Sequence, residues 1–214
     1  MLAALMSGQS ITASELATIA NVARSTASEH LARLVESRLV KVHVEGRHRY
    51  YSIASPLVAQ MLESIAAVAT LELPNRFHPK SARDRKLRMV RTCYDHLAGY
   101  VGVEITNALV RRNHVVLTQD GGEVTGDGRE MLENFGINIA EITQRRKQMY
   151  CRPCLDWTER RVHLAGKVGA AIACRCLELG WFARMDRGRA LEVTALGVAA
   201  LAETFEITLP AGDW

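Results

Sequence analysis

The segment from Thr12 to Ile53 constrains the fold most strongly, because two short helical patterns lead directly into a hairpin pattern. Thr12 and Glu15 have the spacing of a capping box, which predicts the start of the first helix. Asn21 tolerates the left-handed conformation that can end it. Apolar residues at helical spacing then predict a second helix, and alternating residues around Gly46 predict a β-hairpin. This order predicts a winged helix-turn-helix, whose second helix enters the DNA major groove.

The second helix and the hairpin turn carry the side chains expected to contact DNA. Ser25 is the predicted N-cap of the second helix. Small hydroxyl side chains at its start permit close approach, and longer side chains supply hydrogen bonds to bases or phosphates. Basic groups at the hairpin turn suit the DNA backbone or minor groove. A solvated polar face is the alternative for the helix. The predicted DNA-binding residues are Arg24, Ser25, Thr26, Ser28, Glu29, His30, Arg33, Arg47, His48 and Arg49.

Basic charge is concentrated between two nearly balanced regions. Residues 1–73 carry six basic and six acidic side chains, and residues 92–214 carry fourteen and sixteen. Residues 74–91 carry seven basic and only one acidic. This excess indicates either phosphate contact or a solvated linker. The sequence therefore predicts a DNA-binding domain over 1–73, a basic connector over 74–91 and a regulatory domain over 92–214.

The regulatory region contains an internal duplication. The sequence His-Leu-Ala-Gly occurs at 96–99 and again at 163–166, and further matches follow in phase. They pair Gly102 with Gly169, Ile105 with Ile172, Val124-Thr125 with Val193-Thr194, Gly128 with Gly197, and Leu132 with Leu201. Each copy reads as helix, strand, glycine turn, strand and helix, so we predict two units about a pseudo-twofold axis. The predicted fold class is α+β, mostly α, with an N-terminal winged helix-turn-helix and two tandem winged-helix-like repeats.

Cysteine usage points to a reducing compartment. The chain has neither an apolar run long enough to span a membrane nor a good signal peptide, so we expect a cytoplasmic protein with reduced thiols and no membrane partner. An odd number of cysteines favours metal binding, redox chemistry or burial over a disulfide framework. The five are Cys93, Cys151, Cys154, Cys174 and Cys176, of which the last two are expected in the core.

A candidate metal site is spread over both copies. Cys93 and His96, expected on one helical face, could join Cys151 and Cys154 in a tetrahedral site with three cysteines and one histidine, suited to zinc. Copper or another thiophilic metal would suit the same ligands. One alternative is thiol sensing, helped by a helix expected after Cys154 that would lower its pKa. The other alternative is structural, with His96 and His163 satisfying buried backbone groups. The two histidines occupy matching positions, but only one copy has a matching cysteine, which favours this structural role.

An organic effector is a further alternative to a metal. Aromatic side chains between two packed copies could line an apolar pocket, as ligand sites often do at such interfaces. They could equally be ordinary core residues. The candidate pocket residues are Tyr94, Trp157, His163 and Trp181.

The first 70 residues resemble the ArsR family of bacterial winged-helix repressors, through ASELA, STASEHLARLVESRLV and GRHRYYSI. The resemblance implies a homodimer that leaves its operator when an effector binds. The family's cysteine and histidine metal positions are absent here, and the helix that usually precedes MLAALM is missing, so we expect a truncated or misassigned start. The second half resembles an extension found on some members, through RTCYDHLAG and CRPCLDWTERRVHLAG.

The sequence thus predicts a dimeric transcriptional repressor that binds double-stranded DNA and senses an effector in its C-terminal half. Two alternatives stay open. One is a thiol- or metal-dependent enzyme built on Cys151 and Cys154, although no thioredoxin-like context surrounds them. The other is a DNA-binding protein without an effector. Neither the operator nor the effector can be named from the sequence.

Overall fold

The computed structural model describes residues 1–70, 82–143, 150–185 and 188–211. Roughly half of the chain is helical and the strands are short. The chain divides into two compact units, the first formed by Met1–Ala66 with Asp186–Arg189, and the second by Ala67–Met185 with Ala190–Trp214. None of the helices in the described ranges is long and apolar enough to cross a membrane.

The first unit combines short helices with a three-stranded antiparallel sheet. Its elements are α1 (Leu2–Leu5), β1 (Ile11–Thr12), α2 (Ala13–Ala20), α3 (Arg24–Glu36), β2 (Val40–Glu45), β3 (His48–Ile53) and α4 (Pro56–Thr70). The sheet has the order β1-β3-β2. Strand β1 was not predicted, because two residues are too few to show an alternating pattern. The core of this unit is formed by Leu5, Ile11, Leu16, Leu31, Val40 and Tyr51.

The start and end of α2 agree with the sequence prediction. Thr12 and Glu15 form the capping box, and Asn21 ends the helix in the left-handed conformation, with φ of 52°. The prediction that Ser25 caps α3 is wrong. The residue before the helix is Ala23, two residues earlier, which is extended, and no described side chain caps the helix. Ser25 therefore lies in the first turn, where its side chain faces solvent.

The second unit repeats one order of elements. Helix α5 (Ala82–Met89) precedes the first series, which is β4 (Arg91–Cys93), β5 (His96–Ala98), α6 (Gly99–Arg111), β6 (Val115–Leu117), β7 (Gly122–Val124) and α7 (Gly126–Asn134). After α8 (Ile139–Thr143) the second series is β8 (Arg152–Leu155), β9 (Val162–Ala165), α9 (Gly166–Glu178), β10 (Phe182–Arg184), β11 (Leu191–Val193) and α10 (Ala195–Phe205). Each series contains a hairpin before its first helix that the sequence pattern did not indicate.

Matched residues of the two series adopt the same conformation. Gly99 and Gly166 begin α6 and α9 with φ of 82° and 81°, values that glycine adopts without steric cost. Thr125 and Thr194 cap α7 and α10, each accepting a hydrogen bond from the backbone N–H three residues on. The sequence matches therefore coincide with equivalent positions in the fold.

The two series share one hydrophobic core. Helix α6 packs on β9, and α9 packs on β5. The backbone N–H of Leu164 donates to Thr106 Oγ1 at 2.8 Å, which ties β9 to α6. Trp181 packs against Phe135 and Phe205, with ring centroids 5.3 and 6.2 Å away. Each series thus supplies a helix to the other's first hairpin.

The connector predicted at 74–91 is partly a structured segment. Residues 74–81 lie outside the described residues, but Ala82–Met89 is helical and Arg91 begins β4. The expectation that the connector's basic side chains face solvent or phosphate is wrong for Arg91, whose side chain is fully buried. Burial of this charge requires a partner, which the second hairpin supplies.

Candidate nucleic-acid interface and metal centre

Helix α3 presents the predicted DNA-binding face to solvent. Ala27 and Leu31 are buried and anchor the helix on the core of the first unit. The predicted contact residues lie on the other side of the helix. Thr26 is half-buried, and the exposed ones are Arg24, Ser25, Ser28, Glu29, His30 and Arg33.

Two of these side chains already interact with one another. Arg33 and Glu29 form an ion pair at 2.7 Å, and both side chains are well exposed. Exposed pairs of this kind contribute little free energy. Arg33 can therefore exchange Glu29 for a DNA phosphate at low cost. Ser28 Oγ donates to the carbonyl oxygen of Arg24 within the helix.

The hairpin of β2 and β3 forms the wing. Glu45 pairs with His48, so Gly46 and Arg47 make a two-residue turn, with Gly46 at φ of 59°. Arg47, His48 and Arg49 are all exposed. A groove of about 630 Å³ lies between wing and helix, and its lining includes Ser28 and the three wing residues. The helix and the wing therefore border one concave surface, as contact with a duplex requires.

In the second unit, two cysteines and two histidines converge. One atom from each of Cys93, His96, Cys154 and His163 lies within 4.8 Å of the others. Cys93 pairs with His96 across β4 and β5, and Cys154 pairs with His163 across β8 and β9. Each hairpin thus contributes one cysteine and one histidine.

This geometry corrects the predicted ligand set in three respects. Cys93 and His96 lie on paired strands and not on a helical face. Cys154 lies within β8, so no described helix follows it directly. His163 takes the place assigned to Cys151, whose side chain is fully buried outside the cluster. Both series of elements therefore place a cysteine opposite a histidine, and the sequence pattern did not reveal this because the second hairpin has a longer loop.

Burial also distinguishes Cys151 from a reactive thiol. Desolvation raises the pKa of Cys151 to about 11. A thiolate is the nucleophile in thiol chemistry, and very little forms near neutral pH at such a pKa. Cys151 is therefore a poor nucleophile in this fold. No disulfide bond joins any of the five cysteines, all of which lie within the described ranges.

The two histidine rings face each other through Nε2. The Nε2 atoms of His96 and His163 are 3.1 Å apart, and the ring centroids are 5.0 Å apart. His96 Nδ1 lies 3.0 Å from Asp95 Oδ1. Burial opposes a charge on His96, but hydrogen bonds with Asp95 and Cys93 outweigh it, and the pKa of His96 lies above its usual value. His163 Nδ1 lies 3.6 Å from Asp156 Oδ2.

A buried ion pair supports this cluster. Arg91 donates to Asp156 Oδ2 at 2.9 Å, and both side chains are fully buried. The N–H of Gly99 donates to the same oxygen at 2.7 Å, and the hydroxyl of Thr158 donates to Oδ1 at 2.7 Å. Burial alone would raise the pKa of Asp156, but Arg91, His163 and these hydrogen bonds hold it well below its usual value. The carboxylate therefore stays ionised beside His163.

The side chains proposed to line an effector pocket lie in different surroundings. Tyr94 is exposed in the turn between β4 and β5. Trp157 stacks with Arg91, whose Cζ lies 5.2 Å from the ring centroid. Trp181 belongs to the hydrophobic core, and His163 belongs to the cluster with Cys93, His96 and Cys154. A cavity of about 860 Å³ in the second unit has a different lining, in which the charged side chains Asp95, Arg152, Lys167 and Arg175 take part.

A recognition helix beside a basic wing defines the class of DNA-binding helix-turn-helix proteins. Residues 1–43 match the model of a helix-turn-helix domain. Over 210 residues the chain is 37% identical to "Uncharacterized HTH-type transcriptional regulator YdfF" of Bacillus subtilis (strain 168), and the match covers 98% of this chain and 92% of that protein. The chain belongs to this family of helix-turn-helix transcriptional regulators, and DNA is its partner.

Proposed function

We propose that the protein is a dimeric repressor of the ArsR type, released from its operator by an effector that binds the second unit. The observation that carries the proposal is the concave surface between α3 and the wing, where Ser28, Arg47 and Arg49 border one groove. The resemblance of residues 1–70 to ArsR repressors supports repression as the mode of regulation. Two such surfaces, related by a dimer axis, would contact successive major grooves.

An apolar stripe on α4 supports the homodimer. Leu57, Met61 and Ile65 recur at intervals of four residues, and 75%, 42% and 56% of their surfaces are exposed. Glu63, on another face of the helix, is buried and forms an ion pair with Arg189. Contiguous exposed apolar surface commonly marks an interaction site. A second copy of this chain would cover the stripe, in keeping with the dimers of the ArsR family.

The second unit is proposed as two tandem winged-helix-like repeats that form the sensing part. The recurring order of elements and the matched conformations of Gly99 with Gly166 and of Thr125 with Thr194 support a duplication. Each repeat has a helix, a hairpin and a second helix. An effector that binds the DNA-free conformation a few kcal/mol more tightly than the DNA-binding conformation would be enough to shift the protein away from DNA.

The experiment is an affinity measurement on a selected operator. Duplexes are first selected from a random pool with the full-length protein, and fluorescence anisotropy then gives Kd as a function of salt concentration. We expect Arg47→Ala and Arg49→Ala each to weaken binding and to reduce the log–log salt slope by about 1, because each removes one phosphate contact.

Arg129→Ala is the matched control, since Arg129 is an exposed arginine on α7 in the second unit. It should leave both Kd and slope unchanged. If the wing variants behave like this control, the proposed DNA interface is wrong. Stoichiometry of one protein dimer per duplex supports the dimer, and one monomer per duplex contradicts it. A screen of metals and small molecules for operator release then tests the effector.

A further inference from the structure

We propose that Cys93, His96, Cys154 and His163 form a tetrahedral Zn²⁺ site that links the two hairpins of the second unit. This inference goes beyond the proposed repressor, because metal binding can be measured without DNA. The four residues come from two segments of the chain, 93–96 and 154–163, that only the fold brings together. Two thiolates and two imidazoles are a common ligand set of structural zinc sites.

The spacing of the donor atoms agrees with tetrahedral coordination. Zinc bound to two imidazole nitrogens at its usual bond length holds them about 3.3 Å apart. The Nε2 atoms of His96 and His163 are 3.1 Å apart, and the two sulfur atoms lie within 4.8 Å of each other and of one ring nitrogen of each histidine. Small side-chain rotations would therefore bring all four donors to bonding distance.

Both histidines have the outer carboxylate that is typical of metal sites. Asp95 Oδ1 lies 3.0 Å from Nδ1 of His96, and Asp156 Oδ2 lies 3.6 Å from Nδ1 of His163. An ionised carboxylate accepts hydrogen bonds and cannot donate them, so Nδ1 of His96 must carry the proton. Its Nε2 then presents a lone pair to the centre of the cluster. Carboxylates in this position fix the tautomer and raise the basicity of a zinc-bound histidine.

When both imidazoles are uncharged, either tautomer of His163 leaves one conflict. With the proton on Nδ1, two Nε2 lone pairs face each other at 3.1 Å. With the proton on Nε2, Nδ1 has no hydrogen bond to any residue in the described ranges and faces the Asp156 carboxylate. Buried acceptors without a donor are costly. A cation between the two imidazoles removes the conflict, and the adjacent sulfur atoms favour Zn²⁺ as that cation.

The surroundings indicate a structural site and not a catalytic one. Four protein ligands fill a tetrahedral zinc and leave no position for substrate. Cys93, His96 and His163 are buried, whereas Cys154 is half-buried and provides the side from which a metal can enter. Zinc bound here would hold β4–β5 and β8–β9 together and would stabilise the folded second unit by mass action.

The test begins with full-length protein purified without chelator. Elemental analysis by mass spectrometry should find one zinc per chain. After metal removal, titration with Co²⁺ should saturate at one equivalent and give the absorption of tetrahedral cobalt with thiolate-to-cobalt charge transfer. Zinc should then displace cobalt and raise Tm.

Three variants make the test specific. Cys93→Ser and His163→Ala should each lower zinc affinity at least about a hundredfold, since each removes one of four ligands. Because loss of a buried ligand can also disturb folding, Asp95→Asn provides a second line of evidence. Asp95 is half-exposed in a hairpin turn, and loss of an outer carboxylate should lower affinity about ten- to a hundredfold. Cys174→Ser, which replaces an exposed thiol, is the control and should bind as the wild type does.

Two results would overturn the proposal. One is a folded wild-type chain that binds neither Zn²⁺ nor Co²⁺, which would mean that the four side chains pack together without a metal. The other is equal loss of affinity in Cys174→Ser and Cys93→Ser, which would place the metal elsewhere. Neither result bears on DNA affinity, so the repressor proposal is judged separately.

Discussion

At the scale of single residues, Asp156 links several segments of the second unit. One carboxylate accepts hydrogen bonds from the side chains of Arg91 and Thr158 and from the backbone of Gly99, and it lies beside His163. Arg91 belongs to the first hairpin and Thr158 to the loop of the second. Asp156 therefore holds together segments that are distant in the sequence. A buried charge is tolerated only when its partners are complete, which makes this position sensitive to a change that preserves shape but removes charge.

Asp156→Asn should therefore destabilise the protein by roughly 3–5 kcal/mol, because Arg91 would remain buried without its counter-charge. Urea unfolding in the presence of chelator measures this effect without a contribution from metal loss. Asp120→Asn is the control, since Asp120 is exposed in the turn between β6 and β7, and it should change stability by less than about 0.5 kcal/mol. If both variants change the free energy of unfolding equally, the ion pair contributes nothing to stability.

At the scale of elements, the first turn of α6 packs tightly on the strand before it. A Cβ at Gly102 would stand 2.5 Å from the carbonyl oxygen of Leu97, and one at Gly169 would stand 2.3 Å from that of Leu164. Backbone atoms cannot move aside as a flexible side chain can. The matched glycines therefore set how closely each helix follows its hairpin.

Gly102→Ala should destabilise the chain by about 1–3 kcal/mol, as overpacking against fixed backbone does. Thermal unfolding followed by circular dichroism gives the change in Tm. Gly126→Ala serves as the matched control in α7, because no described atom lies within 4 Å of where its Cβ would stand. That change should be neutral or stabilising by up to about 1 kcal/mol. A Tm for Gly102→Ala at or above that of Gly126→Ala would contradict the packing argument.

At the scale of the whole molecule, the exposed stripe on α4 decides the proposed oligomeric state. Ile65→Glu should weaken dimerisation by about tenfold or more, because the new carboxylate would be desolvated at the interface. Sedimentation velocity at several protein concentrations measures this change. Leu196→Glu is the control, since Leu196 is 59% exposed on α10 and Ile65 is 56% exposed.

The control should sediment as the wild type does. If the sedimentation coefficient of Ile65→Glu depends on protein concentration as that of the wild type does, α4 is not the dimer interface. The repressor proposal would then need another contact surface. If Leu196→Glu alone dissociates the protein, the interface lies in the second unit.

Local patterns were sufficient to predict much of the first unit. Thr12 and Glu15 marked the start of α2, Asn21 marked its end, and Gly46 marked the wing turn, since each acts through neighbours within a few residues. The start of α3 was misplaced by two residues, because an extended Ala23 ends the turn without any capping side chain among the described residues. Helix caps depend on local geometry that several neighbouring residues can satisfy.

The sequence by itself determined the helix-turn-helix, its wing and the repeated spacing of the second half, because these depend on periodicity and short-range hydrogen bonds. Only the tertiary structure decided which residues meet. His163 joins Cys93, His96 and Cys154, while Cys151 is buried apart from them, since strand pairing in two hairpins places the donors. It also paired Arg91 with Asp156 across 65 residues of chain. Such contacts depend on how strands and helices pack, which no local pattern records.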